Sequence, residues 1–425
     1  MTARYRGGVL GKDFADNPVV VLGFGAAAVS AICSLREYGY NGPLTVVTNA
    51  GPEPYNPVLT SYYAGGRIGR EQCFPWKDVD FSDLIDDLLI QQTPVYVDFA
   101  AHEVELVGGR RVGYSKLLVA TGAHPVAPGF PSLEAYRPHV LRTVEDADRL
   151  HEALVRKPHA RILVSGTSMV GLKALEACLD CEADVTLLGR SAHILRATAH
   201  PSIADAFEWL LEQRGVTVRL SQTIECADYS HESSSCIVRF DSGDEESFDE
   251  IILAQGVKPN LGFVEPGSVE MGDGLVVDSF MRTSVPDVFA AGDVAQALDL
   301  SSGKKRVIGL WQNAVQQGRC AGAAIAAELA GHVPMRRYLG SIPSNTIHVQ
   351  DVLFASAGSV AESEGRIIEM SASSQSTSVF AYERNGSKEQ LVGFNILAVV
   401  SPDCRNESLV DDIGAYRRAI LNSYL

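Results

Sequence analysis

The sequence predicts an α/β fold of two Rossmann-like dinucleotide-binding domains followed by a C-terminal α+β segment. Three observations predict it. A small-residue turn between an apolar strand and a helix occurs twice, each copy is followed at similar distance by a second small-residue turn, and from about Met335 the pattern changes to β-rich runs.

The first copy is PVVVLGFGAAAVSAI. Val19–Leu22 reads as a strand, and Gly23-x-Gly25 with Ala27 and Ala28 opens a helix. The second is ARILVSGTSMVGLKAL, in which Ile162–Val164 leads into Gly166-x-Ser168-x-x-Gly171. The first small residue permits a tight turn, the second lets a pyrophosphate approach the backbone, and the third lets the helix pack on the strand. The helix N-terminal amides then face the phosphates. One such pattern is weak evidence. Two, each set between a strand and a helix, are strong.

The duplication extends downstream. Ala120-Thr121-Gly122-Ala123 follows the strand Lys116–Val119, 99 residues from Gly23 to Gly122. Ala254-Gln255-Gly256-Val257 follows Glu250–Leu253, 90 residues from Gly166 to Gly256. That spacing fits two dinucleotide-binding units, each with a β-meander insertion. A third element, DVFAAGD, is a short apolar strand ending in Gly292-Asp293. It can aim one carboxylate and backbone amides at a polyol or phosphate.

A chain of 425 residues fits roughly two to three domains. Thirty-six basic against 52 acidic residues leave a net charge of −16, with no Lys/Arg-rich run, which argues against nucleic acid and anionic membrane as partners. The first 18 residues lack an apolar signal region, and no segment has the length and apolarity of a membrane span. Eight scattered cysteines show no disulfide framework, so a soluble, cytoplasmic protein with reduced thiols is expected.

Along the chain, residues 1–17 read as a loose lead-in, and AHPVAPGFPSLEAYRPHV as a Pro-rich connection. Gln312–Ala330 reads as a helix capped by Gly331. Thr346–Phe354, Arg366–Met370, Thr377–Tyr382 and Gln390–Val399 read as β-rich runs, Asp411–Leu421 as a helix, and Ser371–Ser378 as a surface loop. The expected domains are 1–140 and 258–334 for the first nucleotide, 141–257 for the second, and 335–425 at the C-terminus.

GFGAAA, ATGA, GTSMVG, QGVKPN and VFAAGDV together resemble the FAD-dependent pyridine-nucleotide oxidoreductases of the disulfide type. WQNAVQQGRCAG and LRTVEDADRL resemble the branch holding NADH:rubredoxin reductases, NADH oxidases and the flavin part of nitrite reductases. The resemblance covers nearly the whole chain. It implies FAD in the first domain, NADPH or NADH in the second, hydride passing from nicotinamide to flavin, and a C-terminal interface domain making a homodimer. On it, FAD is expected at Gly23, Gly25, Ala27, Ala28, Asn49, Thr60, Thr121, Gly122, Gly292, Asp293, Trp311 and Gln312. The nicotinamide nucleotide is expected at Gly166, Ser168, Gly171, Arg190, Arg196 and Gly256. The helix after Trp311 would turn its positive end to the flavin pyrimidine. Trp311 alone reads equally as a core aromatic.

The sequence also departs from the family. Where an acid usually holds the adenine ribose stands Ala50, with Asn49 or Glu53 as the substitute. Where disulfide-reducing relatives carry a nucleophilic cysteine beside the flavin, this chain has Thr60-Ser61-Tyr62, and Pro57 replaces a basic residue. A flavin–thiolate relay needs a low-pKa thiol, which hydroxyls cannot replace. Cys178-x-x-Cys181 lies late in a helix, where the dipole disfavours a thiolate, and reads as helix packing. No histidine or cysteine cluster matches a metal or iron–sulfur site.

The strand Val185–Leu188 ends in Gly189-Arg190 rather than in an acid, and Arg196 follows. A missing acid beside an Arg favours NADPH, unless Arg190 and Arg196 are ordinary surface cations. Lys173 stands where the family often places a Glu facing the nicotinamide, and is the one tentative catalytic residue. It pairs with a phosphate or a neighbouring carboxylate, or marks a site that no longer binds nicotinamide. Three functions follow. The first is NAD(P)H oxidation with electrons passed to a rubredoxin-, ferredoxin- or iron–sulfur-type acceptor and no catalytic thiol. The second is a small-molecule flavin oxidoreductase with a degenerate nicotinamide site. The third is a flavin-bearing structural subunit of a larger redox complex.

Overall fold

Val19–Leu22 is apolar throughout, and all four residues are fully shielded from solvent. A strand covered on both faces reads as a continuous hydrophobic run. The computed structural model, which describes residues 14–126, 136–231, 233–358, 360, 365–373, 376–385, 388–400 and 413–420, places this strand at the centre of a parallel sheet. The order is Val288–Ala290, Lys116–Val119, Val19–Leu22, Leu44–Val47, Asp87–Leu89. A second parallel sheet runs Thr217–Leu220, Asp184–Gly189, Arg161–Ser165, Glu250–Leu253. Each carries the expected three-stranded antiparallel insertion, Pro94–Asp98 to Arg111–Gly113 in the first and Ile224–Ser230 to Glu245–Phe248 in the second.

The chain packs as two units. One takes Met1–Asn56, Phe74–His124 and Lys258–Ser341, and the other takes Pro57–Cys73, Pro125–Val257 and Ile342–Leu425. Pro57–Cys73 therefore belongs to the second unit, although its neighbours in sequence belong to the first. The second unit also holds an antiparallel five-stranded sheet, ordered Ser344–Val349, Val352–Gly358, Lys388–Val399, Ser376–Asn385, Arg366–Ser373.

In the first unit, the helices Ala26–Glu37 and Trp311–Leu329 touch backbone to backbone. A Cβ at Gly318 would overlap the Ala27 carbonyl, and one at Gly322 the Ala31 carbonyl. Glycine is needed there for contact rather than for φ. The Ala-rich second half of the longer helix, Cys320 to Ala326, is buried without exception.

Three expectations are corrected. Residues 14–17 are not loose: Phe14 is 1% exposed and packs on Tyr40 at 5.4 Å between ring centroids. Ser371–Ser373 and Ser376–Ser378 are strand rather than loop, because backbone pairing across the hairpin outweighs serine's turn preference. Thr346–Phe354 is two strands, broken at Gln350, whose φ is +52°. The lead-in before Phe14, residues 127–135 and the ends of the C-terminal helix lie outside the described residues, whereas 413–420 is helical.

Gly318→Ala should cost about 1–3 kcal/mol through overpacking against Ala27. Denaturant unfolding of the apoprotein checks this, and an unchanged midpoint contradicts the close crossing.

Candidate functional site

In the first unit, Gly23 takes φ +103° and donates its N–H to Val47 O at 2.7 Å, turning the chain out of the strand. A Cβ there would overlap the Ala120 carbonyl, so the fingerprint turn and the ATGA turn abut. Gly25 caps the helix Ala26–Glu37 with no side-chain cap, so the first-turn amides of Ala26, Ala27 and Ala28 remain for a ligand. Gly292, at φ +81°, approaches the same helix. A Cβ on it would stand 3.1 Å from Ala27 Cβ, which brings Asp293 to the fingerprint.

Two residues that sequence reasoning missed hold this arrangement. Gln317 is 1% exposed and accepts the Gly292 N–H at 2.8 Å. Asn260, from QGVKPN, donates its side-chain amide to Thr121 O at 2.9 Å and its backbone N–H to Gly122 O at 2.9 Å, and its Oδ1 lies 2.7 Å from His124 Nδ1. The Thr121 hydroxyl is committed to Asn260 O at 2.7 Å. Both signals lay in motifs quoted for the family, but their partners are more than twenty residues away and nothing local reveals them.

Trp311 starts its helix and stacks on Trp76, with ring centroids 5.3 Å apart and planes at 28°. No side chain caps this N-terminus either, and Gln312 is exposed there. Asn49 is exposed just beyond the strand Leu44–Val47. Thr60 falls in the second unit, 1% exposed, with its hydroxyl donated to Pro57 O at 2.8 Å.

The second cradle repeats the first. Gly166 takes φ +133° and donates to Leu188 O at 2.9 Å, and Ser168 caps the helix Met169–Asp180 with no side-chain bond. A Cβ at Gly171 would overlap the Gly166 carbonyl. Gly256, at φ +110°, is exposed and accepts from Val126 N at 2.8 Å. At the end of Asp184–Gly189, a Cβ on residue 189 would meet Thr167 at 2.6 Å, so glycine also fits sterically. Arg190 and Arg196 are both exposed, and neither forms an ion pair among the described residues.

Lys173 is not free. Its ammonium pairs with Glu176 and lies 4.0 Å from the Tyr62 ring centroid. Glu176, 2% exposed, also binds Arg67 at 2.6 Å, and Arg67 reaches Asp180 at 2.8 Å. A buried carboxylate between two cations is satisfied, and removing one partner typically costs about 3–5 kcal/mol. This network ties Pro57–Cys73 to the helix Met169–Asp180. Burial pushes the thiols of Cys178, Cys181 and Cys73 up from the ordinary cysteine value, and Cys178 and Cys73 are wholly shielded.

Two cradles, each at the carboxyl end of its own parallel sheet, define a protein that binds two dinucleotides. The chain belongs to the pyridine nucleotide-disulphide oxidoreductase family, whose profile matches residues 17–318. It is a FAD-dependent NAD(P)H oxidoreductase. Over 354 residues it is 30% identical to the NADH-dependent phenylglyoxylate dehydrogenase subunit epsilon of Aromatoleum evansii, covering 81% of this chain and 80% of that protein. The covalent putidaredoxin reductase–putidaredoxin complex superposes with TM-score 0.81 at 25% identity, over 95% of this chain and 94% of that one. An engineered water-forming NADPH oxidase bound to NADPH superposes with TM-score 0.81 at 22% identity, over 95% and 91%, and so shares the fold. Among the described residues, no helix is long and apolar enough to cross a membrane.

Asp293→Ala should weaken or abolish FAD retention. Full cofactor content at wild-type affinity in the purified variant removes Asp293 from the site. Replacing Cys178 and Cys181 by Ala should leave flavin reduction within a few-fold of wild type, at a cost of roughly 1 kcal/mol of stability per site. Loss of turnover in a folded double variant means that a thiol relay operates.

Proposed function

We propose that this protein takes hydride from NADPH in preference to NADH and passes the electrons to a protein redox centre without a catalytic thiol. One observation carries the acceptor half. Thr60-Ser61-Tyr62 occupies the stretch where disulfide-reducing relatives bring a cysteine, and the segment's nearest thiol, Cys73, is wholly buried with its pKa raised. Disulfide and peroxide chemistry need an accessible thiolate. Electrons that leave a flavin without one go to a redox centre brought alongside.

The similar proteins support this half in their own terms. One is a reductase crystallised joined to its putidaredoxin partner, and another is one subunit of a dehydrogenase. The proposed acceptor is accordingly a small redox protein or a redox-active partner subunit. Bound FAD supplies a group that takes up a hydride and gives up electrons. This chain's residues hold it, through the Ala26–Ala28 amides, Gly292 and Asp293. The N-terminus of the Trp311 helix lends its positive end to the cofactor. We read the C-terminal sheet, with Arg366–Ser373 as its edge strand, as the surface that makes a homodimer.

The nucleotide half rests on Gly189, Arg190 and Arg196. A carboxylate at residue 189 would hydrogen-bond ribose hydroxyls and repel a 2′-phosphate, whereas glycine does neither. Arg190 and Arg196 are exposed and unpaired among the described residues, so both guanidinium forks are available to a phosphate. The engineered NADPH oxidase supports this through the changes made in it. Alanine replaces an aspartate, arginine and serine follow directly, and a second arginine stands six residues after the first. Here Gly189-Arg190-Ser191 and Arg196 repeat that spacing. The NADH dependence of the phenylglyoxylate relative is the property in which this chain is proposed to differ.

Arg190→Ala should lose roughly 1.5–3 kcal/mol of NADPH binding, about ten- to a hundred-fold in apparent affinity, and barely alter NADH. Anaerobic flavin bleaching against each nucleotide measures it. Equal losses, or an NADH preference in the wild type, contradict the assignment. No bleaching by either nucleotide favours the degenerate-site alternative.

A further inference from the structure

His193, Asp205 and Glu208 bring three metal-ligating side chains together in the second unit. His193 lies in the loop after the strand Asp184–Gly189, and the two acids follow on the helix Pro201–Glu212, one turn apart on one face. One ligand atom from each residue lies within 4.8 Å of the others. Local sequence gives no sign of this, because twelve residues separate His193 from Asp205 and the spacing matches no short metal motif.

The geometry separates a ligand set from an ordinary ion pair. His193 Nδ1 is buried and stands 2.9 Å from Asp205 Oδ1, yet the two form no hydrogen bond. A ring N–H at that nitrogen therefore points past the carboxylate. Two donors at right angles about one cation, each at about 2.1 Å, stand about 3.0 Å apart with neither aimed at the other. Glu208 Oε1 is 4.0 Å from the same nitrogen, and the Ile194 N–H, donated at 2.9 Å, holds it there. That bond orients the carboxylate as the outer partners of metal ligands do. The Glu208 side chain is 17% exposed, and among the described residues no Lys or Arg pairs with it or with Asp205. Two carboxylates thus share one imidazole as their cationic partner. The exposed Asp205 side chain can rotate to close the triangle on an ion.

We propose that His193 Nδ1, Asp205 and Glu208 bind a divalent ion of the zinc or cobalt type. An imidazole ligand selects such an ion over Mg²⁺ or Ca²⁺, which favour oxygen. The ion's role is positional. His193 sits between Arg190 and Arg196, and Leu195 donates its N–H to Thr167 O, in the glycine turn, at 2.9 Å. The ion clamps this loop to the helix Pro201–Glu212 and holds both guanidinium groups in place for a phosphate. The clamp rests on the proposed NADPH preference, and the ion site does not.

Equilibrium dialysis of the chelator-treated, FAD-loaded protein against Co²⁺ tests the site. The wild type should hold one ion, and His193→Ala and Glu208→Gln should each weaken it at least about ten-fold. Glu208→Gln keeps an acceptor for the Ile194 N–H, and His193 is half-exposed, so neither change empties a core. Mg²⁺ should bind more weakly and be indifferent to His193→Ala. Absence of bound Co²⁺, equal Co²⁺ binding in His193→Ala, or Mg²⁺ binding as tight as Co²⁺ overturns the proposal. Should either variant not fold, Asp205→Asn, at an exposed position, decides by the same loss or its absence. NADPH affinity, read by anaerobic flavin bleaching, should rise about five-fold or more with Co²⁺ in the wild type and stay level in His193→Ala. An ion bound without that rise overturns the clamp. An NADH preference in the ion-loaded wild type, with ion binding lost in His193→Ala, instead removes the nucleotide reading and retains the site.

Discussion

The first unit depends on one close crossing, where Gly318 and Gly322 of one helix rest on the Ala27 and Ala31 carbonyls of another. Only residues without side chains allow two helix backbones to approach so nearly. The crossing sets the fingerprint amides, the Gly292-Asp293 turn and the start of the Trp311 helix in one register. Gln317, one residue before the contact, then reaches Gly292 with its side chain. Uncapped helix amides, an acidic turn and a helix dipole converge because the helices cannot sit further apart without losing all three.

The second unit meets a different constraint. Its cradle repeats the strand–glycine–helix geometry, but the helix Met169–Asp180 also carries Lys173, Glu176 and Asp180 on the side that meets Arg67 and Tyr62. A buried carboxylate needs its counter-charges, so this cluster fixes Pro57–Cys73 to the nucleotide helix. That segment presents the hydroxyls of Thr60 and Ser61 and the ring of Tyr62. Lys173, in the place of a glutamate, works within the network as a partner of Glu176. Thr60-Ser61-Tyr62 and Lys173 thus fall in two segments that pack on each other.

Much of this was legible in the sequence because it depends on local backbone geometry. The strands Val19–Leu22, Lys116–Val119 and Glu250–Leu253 match their expected limits, since the buried apolar run in each marks it as strand. The positive φ values of Gly23, Gly122, Gly166, Gly256 and Gly292 sit where the motifs require turns. What the sequence did not disclose depends on long-range partners. Asn260 bonds Thr121, Gln317 bonds Gly292, and Trp76 stacks on Trp311, and none of these pairs has a periodicity that marks it. The strand pairing of Ser371, Ser373, Ser376 and Ser378 and the packing of Phe14 escape local composition for the same reason. Composition describes what a residue does alone, and tertiary pairing overrode it.

The central claim is that the flavin is the protein's only internal redox group, reduced by nicotinamide and emptied without a thiol. Anaerobic reductive titration of the FAD-loaded protein with dithionite tests it most directly. The account predicts full bleaching at one two-electron equivalent per FAD, with no long-wavelength thiolate–flavin band at any point. Uptake of a second two-electron equivalent with such a band would show a redox-active disulfide in series with the flavin, and would contradict it.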